Sequence, residues 1–133
     1  MRRMKSVTVL AVALLLVAVS VSAHHSFAAE YDAEKPVTLS GTVVKIDWAN
    51  PHIHFYLDVK GDTGTVIQWK LEGYPPNMLV RQGWARDTLK VGQTITVSGW
   101  RARIDPNLGA AREITFADGR KMAVGPPAGT GGQ

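Results

Sequence analysis

The 133-residue chain has no cysteine, which excludes disulfides, thiolate metal sites, iron-sulfur clusters and cysteine nucleophiles together. It has no long hydrophobic run: the stretch Val7 to Val19 has 13 residues, short of the roughly 20 that span hydrocarbon as a helix, although the segment continues to Ala23 without charge. Phosphate loops and dinucleotide fingerprints are missing, because the glycines fall in turns and bends and none opens a helix. Ser26, Ser40 and Ser98 sit in the strings HHSFA, TLSGT and TVSGW, none a nucleophile elbow. Asp47, Asp58, Glu72, Asp87 and Glu113 are spread singly, with no two paired as in a glycosidase. Hydrolytic catalysis therefore has no recognisable machinery in the sequence.

What is present describes one small domain. Apolar residues make up 45% of the chain, enough for a modest core, and 20% charged residues carry no signature of wholesale disorder. The formal charge of +4 is concentrated at the start, where Arg2, Arg3 and Lys5 precede the apolar run and Val21-Ser22-Ala23 supplies small residues at cleavage spacing. Residues 1–23 read as a secretory signal peptide. Its removal takes away three basic residues and no acidic one, which brings +4 to +1. The expected mature chain is nearly neutral, with its signs interspersed, so it offers no clustered basic groove for nucleic acid. Its expected location is the periplasm or the exterior of a cell, with no stable membrane span after cleavage.

Residues 24–36 read as a polar N-terminal arm ending at Pro36. From Val37 to Trp48 the chain is rich in β-branched residues, with alternation in the second half. Gly41 marks a bulge or bend. His52 to Lys60 and Thr65 to Leu71 are strands two and three, joined by an Asp62-Thr63-Gly64 turn. Residues 75–83 fit one or two helical turns that start in Pro75-Pro76-Asn77 and stop at Gly83. Thr94 to Ile104 is a strand whose apolar parity swaps near Gly99, Arg112 to Phe116 a short strand, and Arg120 to Val124 a last one. Gly125 to Gln133 reads as a disordered Gly/Pro-rich tail. Three strands, a helix, then two or three strands is the order of a small OB-like Greek-key barrel over residues 37–124. A six-stranded sandwich or an SH3-like barrel would give similar runs.

The four histidines form two tight sets, His24-His25 and His52-Ile53-His54. Strand periodicity puts His52 and His54 on one face, with Ile53, Phe55 and Leu57 on the opposite, buried one. Cleavage after Ala23 would expose the His24 α-amine beside its ring, a bidentate nitrogen chelate. Nitrogen donors without thiolate suit Cu(II), Ni(II) or Zn(II), with Cu(II) favoured by the affinity order. Terminal His plus strand His resembles the histidine brace of exported copper proteins in that respect alone. The plainer alternative for both sets is a solvated polar surface.

The run His24-His25-Ser26-Phe27-Ala28-Ala29-Glu30-Tyr31-Asp32, then Leu39-Ser40-Gly41-Thr42-Val43, Trp48-Ala49-Asn50-Pro51-His52 and Val97-Ser98-Gly99, resembles the uncharacterised DUF6152 family of small exported proteins. The resemblance covers nearly all of the mature chain and implies bacterial origin and export. It brings no established reaction and assigns no ligand.

Two functions follow as expectations. One is an exported protein that holds copper at His24, His25, His52 and His54 for storage or delivery. The other is a non-catalytic binding or assembly module that contacts an envelope or secreted protein, or a glycan, through a surface containing Trp48, Trp84, Arg101 and Arg103; the plainer alternatives are Trp84 covering a barrel opening and the arginines forming a solvated basic face. Sequence fixes neither the oligomeric state nor the identity of a partner.

Overall fold

A computed structural model describes residues 27–128. Residues 27–30 are helical, and six strands follow: β1 Tyr31–Asp47, β2 His54–Lys60, β3 Val66–Glu72, β4 Thr94–Ala102, β5 Leu108–Phe116 and β6 Lys121–Ala123. A six-residue helix, α1, Pro76–Arg81, lies between β3 and β4. The all-β class with a short helix after the third strand is thus the architecture of the protein. The expected signal peptide, residues 1–23, lies outside the described residues.

The strands form one sheet in the order β3-β2-β1-β4-β5-β6, and β3 also pairs with β5, so five strands close into a ring. All neighbours run antiparallel except β3 and β5, which pair in parallel over Lys70–Leu108, Leu71–Gly109 and Glu72–Ala110. The 17-residue β1 serves two partners. Its first part pairs with β4, from Tyr31 opposite Ala102 to Thr42 opposite Thr94. Its second part pairs with β2, from Thr42 opposite Asp58 to Asp47 opposite His54.

Gly41 stands where β1 passes from one partner to the other. A Cβ there would lie 2.2 Å from the Asp58 carbonyl oxygen, so only glycine lets the two backbones approach so closely. The β1–β2 register shift itself falls between Val43 and Lys45, two residues beyond the expected position. The parity swap at Gly99 coincides with a register shift between Ser98 and Gly99. Ile95 and Val97 are buried before it, Trp100 and Ala102 after it.

Two expected boundaries are corrected. The arm does not extend to Pro36, because β1 begins at Tyr31 and Pro36 lies within it, opposite Trp100. The register is irregular between Tyr31 and Pro36, which accommodates a residue with no N–H to donate. The tail does not begin free at Gly125. That residue is buried and its N–H bonds the Arg112 carbonyl at 3.1 Å. A Cβ on it would meet the Ala111 oxygen at 1.9 Å. Residues 129–133 lie outside the described residues.

The main core fills the ring with Val43, Phe55, Leu57, Leu71 and Ile114, all fully buried. α1 contributes Leu79, also fully buried. Its first-turn Pro76 lacks an N–H that would have no helical partner, and Gly83, at φ +90°, turns the chain away. A second, smaller cluster joins Tyr31, Trp100, Ala102 and Ala110, with Phe27 and Leu108 packed on it.

Candidate functional site

Of the two histidines expected on the second strand, His54 opens β2 and His52 lies two residues before it, in the segment that enters the strand. Ile53, Phe55 and Leu57 are buried to 1% or less, while His52 is exposed and His54 half-buried on the other side of the alternation. The β2–β3 hairpin sets His54 opposite Glu72. Glu72 is the centre of a contact set that the sequence did not disclose: one carboxylate oxygen meets His52 Nδ1 and the other accepts from the Tyr31 hydroxyl. Tyr31 is 41 residues away in the chain and reaches Glu72 because the ring closes.

The electrostatics follow from burial. Tyr31 is 3% exposed, and its phenol pKa is pushed far upward, first by burial and then by the hydrogen bond to Glu72 and its negative charge. It therefore stays a donor. His54 is held below the ordinary imidazole value, first by burial and then by the Lys70 ammonium, with His52 adding to the effect and Glu72 and Asp47 opposing it. Its ring is neutral at pH 7, the form that binds metals. His52 keeps 45% of its side chain exposed against 17% for Glu72. When Nδ1–H of a neutral His52 donates to Glu72, Nε2 is left with its lone pair, the arrangement that orients ligating histidines.

Among the described residues no group of three or more His, Cys, Asp or Glu side chains is arranged to hold a metal ion. The strand pair would need donors from elsewhere. His24 and His25, the expected donors, lie outside the described residues. Two cavities of about 270 Å³ lie elsewhere, one lined by Gln93, Phe116 and Arg120, the other by Tyr74, Gln82 and Arg112. Neither is lined by His52 or His54.

Of the candidate surface residues, Arg101 and Arg103 are exposed, Trp48 is half-buried and Trp84 is buried. Trp84 is only 3% exposed, packed 6.2 Å from Phe116 between ring centroids, and its Nε1–H donates to the Ala123 carbonyl at 2.9 Å. It belongs to the core because the chain turns back after α1 and lays the indole over the end of the ring, where burial of so large a side chain outweighs exposure. Trp48 is half-buried against the main core. Arg101 is exposed and lies 5.2 Å from the centre of the Trp69 ring.

Arg103 holds the start of the described chain. Its Nε donates to the Ala28 carbonyl at 2.8 Å and its backbone N–H to the Glu30 carbonyl at 2.9 Å. Its guanidinium lies 3.6 Å from the Asp32 carboxylate. With 46% of the side chain exposed, the ion pair contributes at most about 1 kcal/mol, so the carbonyl contacts define the geometry. Beneath them the Phe27 ring sits 5.1 Å from Tyr31 and 6.0 Å edge-on from Trp100.

One sequence signal could have found Glu72. Pairing Lys60 with Val66 across the predicted turn and counting outward places His54 opposite Glu72. Nothing local pointed to Tyr31 or to the role of Arg103.

Among the described residues no helix is long and apolar enough to cross a membrane. No curated protein matches the chain significantly. The sequence profile of the Family of unknown function (DUF6152) matches residues 11–111. That span is well over half of the chain and includes β1 to β4, His52, His54, Tyr31, Glu72 and Arg103; the protein belongs to the DUF6152 family.

Proposed function

We propose that the protein is an exported metal-binding protein that holds a divalent transition ion, Cu(II) foremost, at His52 and His54, with His24 and His25 completing the set. Its role in this reading is storage or delivery, in the periplasm or outside the cell. The observation that carries it is the Glu72 carboxylate on His52 Nδ1, an arrangement that, with Nδ1–H as the donor, turns Nε2 outward as a directed ligand. The neutral His54 two residues along the same face supports a second nitrogen. Covalent reach supports the terminal donors: His24 precedes Phe27 by three residues, a Cα separation of at most about 11 Å. Phe27 in turn packs on Tyr31, which bonds the carboxylate that orients His52. The ring order, with β3 against β5 in parallel, supports the OB-like description of the scaffold.

The test is competition of the exported, processed chain against a chelator for Cu(II), with native mass measurement of the terminus and stoichiometry. One equivalent is expected, on a chain that starts at His24. Glu72→Gln should weaken binding about tenfold and His52→Ala by more. Retention should fall as pH drops below about 6.5, where protonated imidazole no longer binds. A chain that retains no copper at micromolar concentration, or that holds it equally from pH 7.5 to 5, refutes the proposal.

A further inference from the structure

Arg103, just beyond β4, makes three contacts with one short stretch of chain: the Ala28 carbonyl, the Glu30 carbonyl and the Asp32 carboxylate. Those residues span the helical turn and the start of β1. The same stretch presents Phe27 and Tyr31 to Trp100 in the second cluster. From Tyr31 the contacts continue through Glu72 to His52. A side chain that touches neither histidine therefore stands at one end of a continuous line to the proposed ligand, and it fixes where the chain upstream of Phe27 leaves the domain.

We infer that Arg103 is a positioning residue for metal binding, acting through the chain segment it clamps; this rests on the metal-binding reading above. The clamp seats Tyr31, Tyr31 holds Glu72, and Glu72 sets the His52 ring. By reciprocity, a metal bound at this end of the molecule tightens the clamped segment as much as the clamp tightens the metal.

The sign of the effect separates this role from simple electrostatics. Loss of a positive charge near a cation site raises cation affinity by Coulomb's law, whereas loss of the clamp lowers it. Lys35 is the matched control, because its ammonium lies 3.7 Å from the same Asp32 carboxylate, with 61% of the side chain exposed.

The experiment measures Cu(II) affinity by chelator competition on the full exported chain and its Arg103→Ala, Lys35→Ala and His52→Ala variants, with amide exchange over residues 27–31. Arg103→Ala should bind Cu(II) about tenfold more weakly, the scale of losing a group that orients a ligand, and exchange faster over 27–31. Lys35→Ala should bind at least as tightly as the parent, and Cu(II) should slow exchange over 27–31 in the parent. Should Arg103→Ala fail to fold, Phe27→Ala removes the ring from the cluster with the arginine intact and should weaken Cu(II) similarly. Unchanged or tighter binding by Arg103→Ala, or equal weakening by Lys35→Ala, overturns the inference while His52→Ala still weakens binding. If His52→Ala has no effect, the metal-binding reading fails and the inference with it.

Discussion

Replacement of Tyr31 by Phe removes one oxygen from a side chain that is 3% exposed and bonded to Glu72. A hydrogen bond to a charged acceptor contributes about 1.5–3 kcal/mol, and the ring, with its packing on Phe27 and Trp100, is retained. Tyr31→Phe should therefore lose about 2 kcal/mol at pH 7. The pH dependence carries a second signature. The folded-state pKa of Tyr31 is raised above its unfolded value of 10.0, by burial first. Its contribution is fully present below pH 10 and is lost as pH rises, because above that value the unfolded chain releases a proton that the folded chain keeps. Each pH unit beyond 10 then costs the parent about 1.4 kcal/mol from this group, and the variant nothing. The gap should narrow by about 2 kcal/mol between pH 10 and 11.5. Urea unfolding of both proteins at pH 7, 9, 10.5 and 11.5 reads it directly, since other tyrosines and lysines titrate equally in the two. A gap that is absent at pH 7, or constant up to pH 11.5, refutes the buried Tyr31–Glu72 bond.

Gly41→Ala should cost about 3 kcal/mol, because its Cβ would lie 2.2 Å from a backbone oxygen that can move only if β1 and β2 part. Gly83→Ala, at φ +90° with nothing within 4 Å, should cost only about 1 kcal/mol, and equal urea midpoints for the two would contradict the close approach. His54 has a folded-state pKa below the unfolded 6.5, with burial as the first cause. Its contribution is present above that value and lost as pH falls through it, since the unfolded chain then binds the extra proton. The metal-free parent should lose more stability from pH 7.5 to 5 than His54→Gln, and parallel losses would count against the desolvated ring.

The parts of the fold legible in the sequence were those written as local period. The alternation of His52, His54 and Tyr56 against Ile53, Phe55 and Leu57 predicted which side of β2 is buried, and the parity change at Gly99 predicted the irregularity in β4. The first third of β1 had no such pattern, because from Asp32 to Pro36 it is not buried on alternate residues, and proline reads as punctuation. Trp84 could be read either as a surface aromatic or as a cover for a barrel opening, because nothing in a lone tryptophan after a helix says which way the chain turns next. Of the candidate site, His52 and His54 were visible, while the contacts of Tyr31 and Arg103 were not. Their partners lie 41 and 75 residues away, and such contacts exist only once the ring is closed.

That closure rests on three residue pairs, Lys70 to Glu72 against Leu108 to Ala110. Glu72 is itself one of the six residues in this shortest joint of the ring. Opening of the joint would release the carboxylate that aligns Tyr31 with His52, even while the β2–β3 hairpin stayed intact. On the metal-binding proposal the ligand geometry is thus a property of the closed ring. A chain with the joint open carries the same histidines but not their alignment, so under the metal-binding proposal capacity for the ion would report completed folding.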